Sequence, residues 1–188
     1  MTYAADLPAF AFSDHHRIAA GPLAQVARSV RAHLDARPDA PVLVFARTDS
    51  APIDLDLRGS PDQVVARLET PAPRERGRPR LGVTGREVTL LPRHWEWLGR
   101  QSGGASVALR KLVEQAMRGG REQARQARDA AYRFISAIAG DLPGFEEATR
   151  ALFAGDRARL ETEIAGWPED VRTQACEMAA PWLDSAQG

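Results

Sequence analysis

The amino-acid sequence predicts a mixed α+β fold. Strand-like apolar runs fall mainly in the N-terminal third, helical periodicity dominates the second half, and a stretch rich in proline, glycine and arginine separates the two. With 188 residues, of which 44% are hydrophobic, the chain is long enough to bury a core. We expect an α+β domain over 1–70, a basic linker over 71–85, a strand–helix–helix segment over 86–119 and a helical region over 120–188.

The first elements are predicted to be two short strands and a helix. The strands "AFAF" (9–12) and "RIAA" (17–20) flank "SDHH", which suits a turn. A helix follows over 21–39, because apolar residues recur at helical spacing and Pro38 ends the run. The apolar positions of this helix are Leu23, Val26, Ala27, Val30 and Leu34.

A hairpin and a second helix are predicted to complete the N-terminal domain. The run "PVLVFAR" is continuously apolar and "IDLDLRG" alternates, so the two form a hairpin through "TDSAP". Asp54 and Asp56 share one face of the second strand. We interpret that face as solvated rather than as a carboxylate pair with a chemical role. Ser60 and Pro61 then begin a helix, since serine caps helices and proline favours the first helical position.

The central segment begins with "REVTLLP", which is strand-like, and continues into two helices. The first is short, "RHWEWLGRQ", and "SGG" ends it. The second, "ASVALRKLVEQAMR", carries apolar residues at helical spacing. Trp95 and Trp97 offer surfaces on which bases could stack, but residues two apart point to different faces of a helix, so we expect one in the core and one at the surface.

The remaining sequence is helical, with "GDLPG", "AGDR" and "AGWPED" marking the ends of helices. Its apolar faces predict an all-helical bundle. They comprise Phe134, Ile138, Leu152, Phe153, Leu160 and Ile164.

Charge is distributed unevenly although the net charge of the chain is zero. Residues 1–73 carry 7 arginines and 9 acids, residues 74–128 carry 13 basic residues and 5 acids, and residues 129–188 carry 5 arginines and 11 acids. A basic centre of +8 between acidic flanks favours a polyanionic partner for the centre. Of the 25 basic residues only Lys111 is lysine, a bias that runs through every segment and indicates genome composition more than recognition.

The single cysteine, Cys176, excludes an internal disulfide and a cysteine-built metal site, and it suits a reducing compartment. No apolar run approaches membrane-spanning length, and the N-terminus lacks the order of a signal peptide. We therefore expect a cytoplasmic, nucleoid-associated protein with no membrane contact.

The order of strand, proline, short helix, glycine turn and longer helix over 86–118 resembles the ribbon-helix-helix family of DNA-binding domains. The resemblance implies that the strand pairs with its copy in a second chain, so that the protein is a homodimer whose ribbon enters the major groove. A lone strand also needs a partner on physical grounds, because it cannot satisfy its own backbone. The residues expected to face DNA are Arg86, Thr89, Arg93 and, through the amides at a helix start, Ser106.

The sequence does not decide which face of that strand points inward. One parity buries Leu91 and Thr89, and the other buries Val88 and Leu90. Neither leaves a clean row of polar side chains to read bases, and a strand in an ordinary mixed sheet is the alternative.

The string "RGRPR" in the linker resembles the AT-hook, whose Gly-Arg-Pro centre lies in the minor groove. The resemblance implies contacts to A·T-rich DNA, because arginines follow that narrow, electronegative groove. A solvated basic linker is the alternative. The residues concerned are Arg76, Gly77, Arg78, Pro79 and Arg80.

The whole chain resembles a bacterial family designated a domain of unknown function. "EVTLLPRHWEWL", "GGASVALRKLVE" and "AGDLPGFEEATRALFAGD" carry this resemblance. It implies a coherent fold and carries no information about activity or mechanism.

No sequence motif favours catalysis or metal binding. Asp14, His15 and His16 are neighbours in a turn, which rarely converge on one ion. There is no glycine-rich phosphate loop and no nucleophile elbow. We therefore expect no enzyme activity, no cofactor and no metal.

Two functional classes remain. The first is a dimeric DNA-binding protein, a transcriptional regulator or chromosome-associated factor. The second is an antitoxin-like interaction module that binds another protein through its N-terminal or C-terminal region.

Overall fold

The computed structural model describes residues 3–68, 86–117 and 120–186, with the side chains of residues 116 and 117 also outside the description. These residues form three strands and eight helices, so the predicted α+β class is confirmed. The strands are β1 (Pro8–Ser13), β2 (His16–Pro22) and β3 (Val42–Ala46). The helices are α1 (Leu23–Ala36), α2 (Pro61–Ala66), α3 (Pro92–Gly99), α4 (Gly104–Met117), α5 (Gly120–Ile138), α6 (Phe145–Ala154), α7 (Arg157–Glu163) and α8 (Glu169–Ala186).

The strands form one antiparallel sheet in the order β2-β1-β3. Residue Ala11 of the central strand lies opposite Ala19 on one side and Val44 on the other. An irregularity in the pairing with β2 falls between Ala11 and Phe12. The predicted pair of strands around "SDHH" is thus confirmed, and β3 takes the second edge of the central strand.

The two predicted N-terminal helices are confirmed, and each begins as its sequence indicates. Helix α1 buries Leu23, Val26 and Val30, which recur at helical spacing. Helix α2 has Ser60 at its N-cap, where the hydroxyl accepts a hydrogen bond from the Gln63 amide at 3.3 Å. The Gln63 side chain returns an acceptor to the Ser60 amide at 2.9 Å, which completes a capping box.

The predicted hairpin after β3 forms only at its beginning. Pro52 makes an isolated bridge to Phe45, and residues 53–57 form no strand. The physical reason is that arginine side chains take backbone acceptors beyond the bridge. Arg67 donates to the carbonyl oxygens of Asp56 and Arg58 at 3.0 and 2.7 Å. The Asp56 carboxylate also accepts a side-chain hydrogen bond from Arg58, which holds the pKa of that carboxyl well below its usual range.

The central strand is buried on both faces, because its side chains alternate between two apolar clusters. Ala9 and Ala11 pack with the buried residues of α1, with Val44 and with Ile53. Phe10 and Phe12 point to the opposite face and join the buried residues of α5 to α8. One strand therefore supplies both cores, which explains why five of its six residues are buried.

Four phenylalanines join the N-terminal sheet to the C-terminal helices. Phe134 of α5 lies 5.7 Å from Phe10, 5.1 Å from Phe12 and 6.0 Å from Phe45, measured between ring centroids. Its side chain is fully buried. The sequence predicts separate N-terminal and C-terminal regions, whereas in the structure residues 1–72 and 123–188 pack as one compact unit.

Polar contacts reinforce the same junction between β2 and α8. The Arg17 amide donates to the Asp170 carboxylate at 3.0 Å, and its guanidinium donates to Gln174 Oε1 at 3.2 Å. The same guanidinium lies 3.6 Å from a carboxylate oxygen of Glu177. Because Gln174 is buried, its hydrogen bond to Arg17 satisfies a polar group that is costly to leave unpaired.

Residues 73–122 form a second compact unit, of which the described part begins at residue 86. Helices α3 and α4 pack against each other within it. Among the described residues of the whole chain, no helix is both long and apolar enough to cross a membrane.

Candidate nucleic-acid interface

Helices α3 and α4 form the part of the chain that the sequence predicts to contact DNA. Helix α3 begins at Pro92 with Leu91 at its N-cap, in agreement with the prediction that proline opens this helix. Helix α4 begins at Gly104, two residues before Ser106. The predicted order of short helix, glycine turn and longer helix is thus present.

The turn between the two helices depends on Gly103. Its φ of +90° lies in the left-handed region, which favours glycine. A Cβ at this position would meet Val107 Cγ1 at 3.0 Å, so a side chain would also crowd the first turn of α4. Helix α3 thus ends at Gly99, before the sequence "SGG", and Gly103 sets the turn that leads into the start of α4 at Gly104.

This unit leaves most of its large apolar side chains exposed. Among its described residues only Leu98 and Ala108 are buried hydrophobic residues. Six large apolar side chains have between 43% and 55% of their surface exposed: Val88, Leu91, Trp95, Trp97, Leu112 and Val113. We call these six residues the exposed apolar set. A compact unit of this size with so few buried hydrophobic residues has little core of its own.

The predicted DNA-contacting residues within the described segment are all accessible. Arg86, Thr89, Arg93 and Ser106 are exposed. The backbone oxygen of Ser106 accepts a hydrogen bond from Arg110 at 3.1 Å, so this carbonyl is engaged within α4. All four side chains lie outside the core, and the structure of the single chain does not group them into one site.

Residues 86–91, the predicted ribbon, carry no strand pairing in this single chain. A two-stranded ribbon takes its second strand from another copy, so the ribbon stays a prediction. Val88 and Leu91 are both exposed and Leu90 is half-buried, and this pattern matches neither of the two alternating parities. The arm residues Arg76, Gly77, Arg78, Pro79 and Arg80 lie outside the described residues.

Five arginines of this unit are exposed and have no acidic partner among the described residues: Arg86, Arg93, Arg100, Arg110 and Arg121. No carboxylate oxygen of the described chain lies within 4.0 Å of their guanidinium nitrogens. By contrast, five of the seven arginines of residues 3–68 form ion pairs, and Arg37 and Arg47 do not; the paired ones are Arg17, Arg28, Arg31, Arg58 and Arg67. Unpaired guanidinium groups are available to an external anion.

The expectation that one of the two tryptophans of α3 is in the core is wrong. Trp95 is 44% exposed and Trp97 is 51% exposed, and Leu98 takes the buried position of this helix. The physical reason is that a helix of eight residues has one inward stripe. Here Leu98 occupies it, and the larger rings project outward. Sequence periodicity could not reveal this, because it does not show how little partner surface the unit supplies.

A second exposed aromatic group lies on the other unit. The rings of Tyr132 and Phe153 meet edge to face at 5.4 Å, and both are exposed. The Arg128 guanidinium lies over the rings of Phe153 and Trp182 at 4.9 and 5.1 Å, and it also donates to Asp129. Its charge is therefore already engaged within the chain. We call Arg128, Tyr132, Phe153 and Trp182 the aromatic cluster.

The histidine turn has no metal-like geometry in the described chain. His16 Nδ1 lies 3.8 Å from an Asp170 carboxylate oxygen, and its side chain is 81% exposed. Within residues 3–68, 86–117 and 120–186, no three histidine, cysteine or acidic residues converge as metal ligands would.

The fold and this candidate interface together define a mixed α+β protein that carries a separate two-helix unit with exposed arginines and apolar side chains. The chain belongs to a bacterial protein family described as "uncharacterized protein conserved in bacteria (DUF2239)", whose model matches residues 8–179. That match includes the sheet, the two-helix unit and most of the C-terminal helices. No curated protein and no solved structure gives a significant match to the chain.

Proposed function

We propose that the protein is a dimeric DNA-binding protein, a transcriptional regulator or a chromosome-associated factor of the nucleoid. In this proposal the unit around α3 and α4 pairs with its copy in a second chain and contacts DNA. A two-stranded ribbon from residues 86–91 enters the major groove, and the basic arm at 76–80 enters the minor groove of A·T-rich DNA. The exposed apolar set is the observation that carries the proposal.

The exposed apolar set supports dimerisation through a balance of areas. Six large side chains at about half exposure leave far more apolar surface in water than the two buried residues remove. Burial of such surface is favourable by about 25 cal/mol per Å². A second copy presents the same side chains, so one symmetric contact can cover those of both chains other than Trp97, which stays exposed in this proposal.

The charge of the same unit supports DNA as the ligand. Residues 73–122 carry 11 basic residues and 5 acids, a net charge of +6, and the unpaired Arg86, Arg93 and Arg100 lie among the exposed side chains of this unit. Residues 129–188 carry −6, which disfavours contact between phosphate and the C-terminal helices. A dimer contains two copies of the basic segment. The acidic residues of 129–188 lie in a different stretch of each chain.

Sedimentation equilibrium tests the dimer that the proposal requires. The wild-type protein should sediment at twice the chain mass of 20.5 kDa at micromolar concentration. Val113→Asp should shift the mass toward the monomer, because Val113 is 55% exposed in the single chain and its replacement places a charge in the apolar contact. Gln115→Asp is the matched control, since it adds the same charge at an exposed polar position of α4 and should remain dimeric.

A wild-type protein that stays monomeric with its helices intact would contradict the proposal. Equal dissociation of both variants would show that charge on α4, rather than loss of an apolar contact, drives the change.

The second candidate is an interaction module without sequence-specific DNA binding, and the aromatic cluster favours it. Tyrosine, tryptophan and arginine are the residue types enriched at the energetic centres of protein interfaces. A Tyr132→Ala, Phe153→Ala double variant separates the two candidates. It should leave DNA affinity unchanged under the first and should abolish capture of a protein partner under the second.

A further inference from the structure

We propose that Trp97, flanked by Arg93 and Arg100, is a stacking site for an unpaired base of single-stranded DNA. This inference rests on the proposed DNA-binding function and adds a second form of nucleic acid to it. The indole ring supplies the stacking surface, and the two guanidinium groups supply the charge for the adjoining phosphates.

Helical spacing places Arg93 and Trp97 on one face of α3, and Arg100, the C-cap residue with right-handed helical backbone angles, continues that face. Trp97 follows Arg93 by four residues and precedes Arg100 by three, so the three lie one above another along the helix. All three are exposed, and Trp97 has 51% of its surface in solvent. The indole ring of Trp97 therefore lies between two guanidinium groups, each about one helical turn away.

The arginines of this face are free to meet phosphate. Glu96 stands three residues after Arg93 and four before Arg100, a spacing that permits an ion pair with either. No such pair forms within 4.0 Å in the described chain. The nearest recorded side-chain hydrogen bond at the ring comes from Gln101, whose amide donates to the Trp97 carbonyl oxygen at 3.2 Å. That bond is to the backbone and does not involve the indole ring, about half of whose residue surface is exposed.

Trp95 belongs to a different face and provides an internal comparison. It follows Leu91 by four residues and precedes the buried Leu98 by three. Its neighbours along the helix are therefore apolar, as in a contact between protein surfaces, whereas the neighbours of Trp97 are cationic. We therefore expect the two tryptophans of α3 to make different contacts, Trp95 with protein and Trp97 with nucleic acid.

The geometry points to single-stranded DNA because an indole can stack only on a base whose face is accessible. In a duplex both faces of each base are covered, and opening the stack costs free energy. Stacking on an aromatic side chain tolerates any base, so this site adds affinity without sequence preference. It would hold the separated strand of a melted region beside the duplex-binding surface.

Fluorescence anisotropy with a short labelled oligothymidylate, and in parallel with a duplex of the same length, tests the inference. Trp97→Ala should weaken binding of the oligothymidylate by roughly five- to 150-fold, the scale of one stacked base, and change duplex binding by less than about threefold. Trp97→Phe should recover most of the lost affinity because it retains a ring. Tyr132→Ala, which removes an exposed ring outside the dimer contact, should leave oligothymidylate affinity unchanged.

Intrinsic tryptophan fluorescence distinguishes stacking of a base on Trp97 from a purely structural role of this residue. Oligothymidylate should quench the wild-type emission, and the quench should disappear in Trp97→Phe although that variant still binds. Unchanged oligothymidylate affinity in Trp97→Ala, in a protein that binds the duplex, overturns the stacking site and leaves the proposed function standing. An equal loss on both ligands overturns it as well. A wild-type protein that binds neither ligand overturns both.

Discussion

Phe134 illustrates, at the scale of single residues, how the two ends of the chain depend on each other. Its ring is fully buried and meets Phe10, Phe12 and Phe45, which come from β1 and β3. The sequence indicates Phe134 as a core residue by helical periodicity. It does not indicate the three partners, because contacts across more than 80 residues of chain leave no local pattern.

Phe134→Ala should therefore destabilise the protein by about 3–5 kcal/mol, since it removes a fully buried ring and leaves a cavity. Phe153→Ala is the matched control. Phe153 is 44% exposed, so its replacement should cost only about 1–2 kcal/mol through the lost ring and cation contacts. Urea unfolding followed by circular dichroism measures both, and similar losses for the two variants would contradict the shared core.

The arm yields a second prediction at the residue scale, and it rests on the sequence alone. Arg78 lies between Gly77 and Pro79 at the centre of "RGRPR", whereas Arg74 lies outside this core. Arg78→Ala should weaken binding to A·T-rich duplexes by roughly 1–3 kcal/mol, and less for G·C-rich duplexes. Arg74→Ala should cost little on either.

The decisive quantity for the arm is the ratio of the two affinities at fixed salt concentration. If Arg78→Ala and Arg74→Ala lower both affinities equally, the arm acts only as a charged tether. Folding should be unchanged in both variants.

At the scale of elements, local chemistry predicted the boundaries of most helices. The capping box at Ser60 and the proline at position 92 both lie where the structure begins a helix. The alternating run over 53–59 was misleading, because Arg67 and Arg31 donate to backbone carbonyls that a strand would need. Alternation reports which side chains face the core and not which hydrogen bonds the backbone makes.

The candidate interface was predicted in part. Arg86, Thr89, Arg93 and Ser106 are exposed as a DNA-contacting role requires, although their approach to DNA stays a prediction. The exposure of both tryptophans was missed, since it depends on how few partners a two-helix unit offers. The proposed pairing of residues 86–91 involves a second chain, and sequence periodicity within one chain does not report on such a contact.

The turn between α3 and α4 gives a prediction at the element scale. Gly103→Ala should destabilise this unit by about 1–2 kcal/mol, because alanine is strained in the left-handed region and its Cβ would crowd Val107. Gly99→Ala is the control. A Cβ at Gly99, the last residue of α3, meets nothing within 4 Å, so this change should be neutral or stabilise by up to about 1 kcal/mol.

Thermal unfolding followed by far-ultraviolet circular dichroism compares the two glycine variants. A lower midpoint for Gly99→Ala than for Gly103→Ala would show that the turn does not set the positions of the two helices.

At the scale of the whole molecule, the chain divides its tasks between two compact units. Residues 1–72 and 123–188 share the buried clusters that stabilise the fold, and residues 73–122 form an insertion between them with little core. Residues 73–122 carry 11 basic residues and 5 acids, a net charge of +6, and their described part holds six of the nine exposed large apolar side chains of the described chain. Because this unit contributes little to the core, we propose that its exposed side chains bind a partner. Its positive charge favours DNA as that partner.

The most direct test of that proposal is a titration of the purified protein against A·T-rich and G·C-rich duplexes at two salt concentrations. We expect binding to both duplexes, tighter for the A·T-rich one, with two chains in each complex. The logarithm of the affinity should fall with the logarithm of salt concentration by about 0.9 for each phosphate contacted, and several contacts are expected from a dimer. A folded protein that binds neither duplex at the lower salt concentration, or whose affinity is independent of salt, would contradict the account.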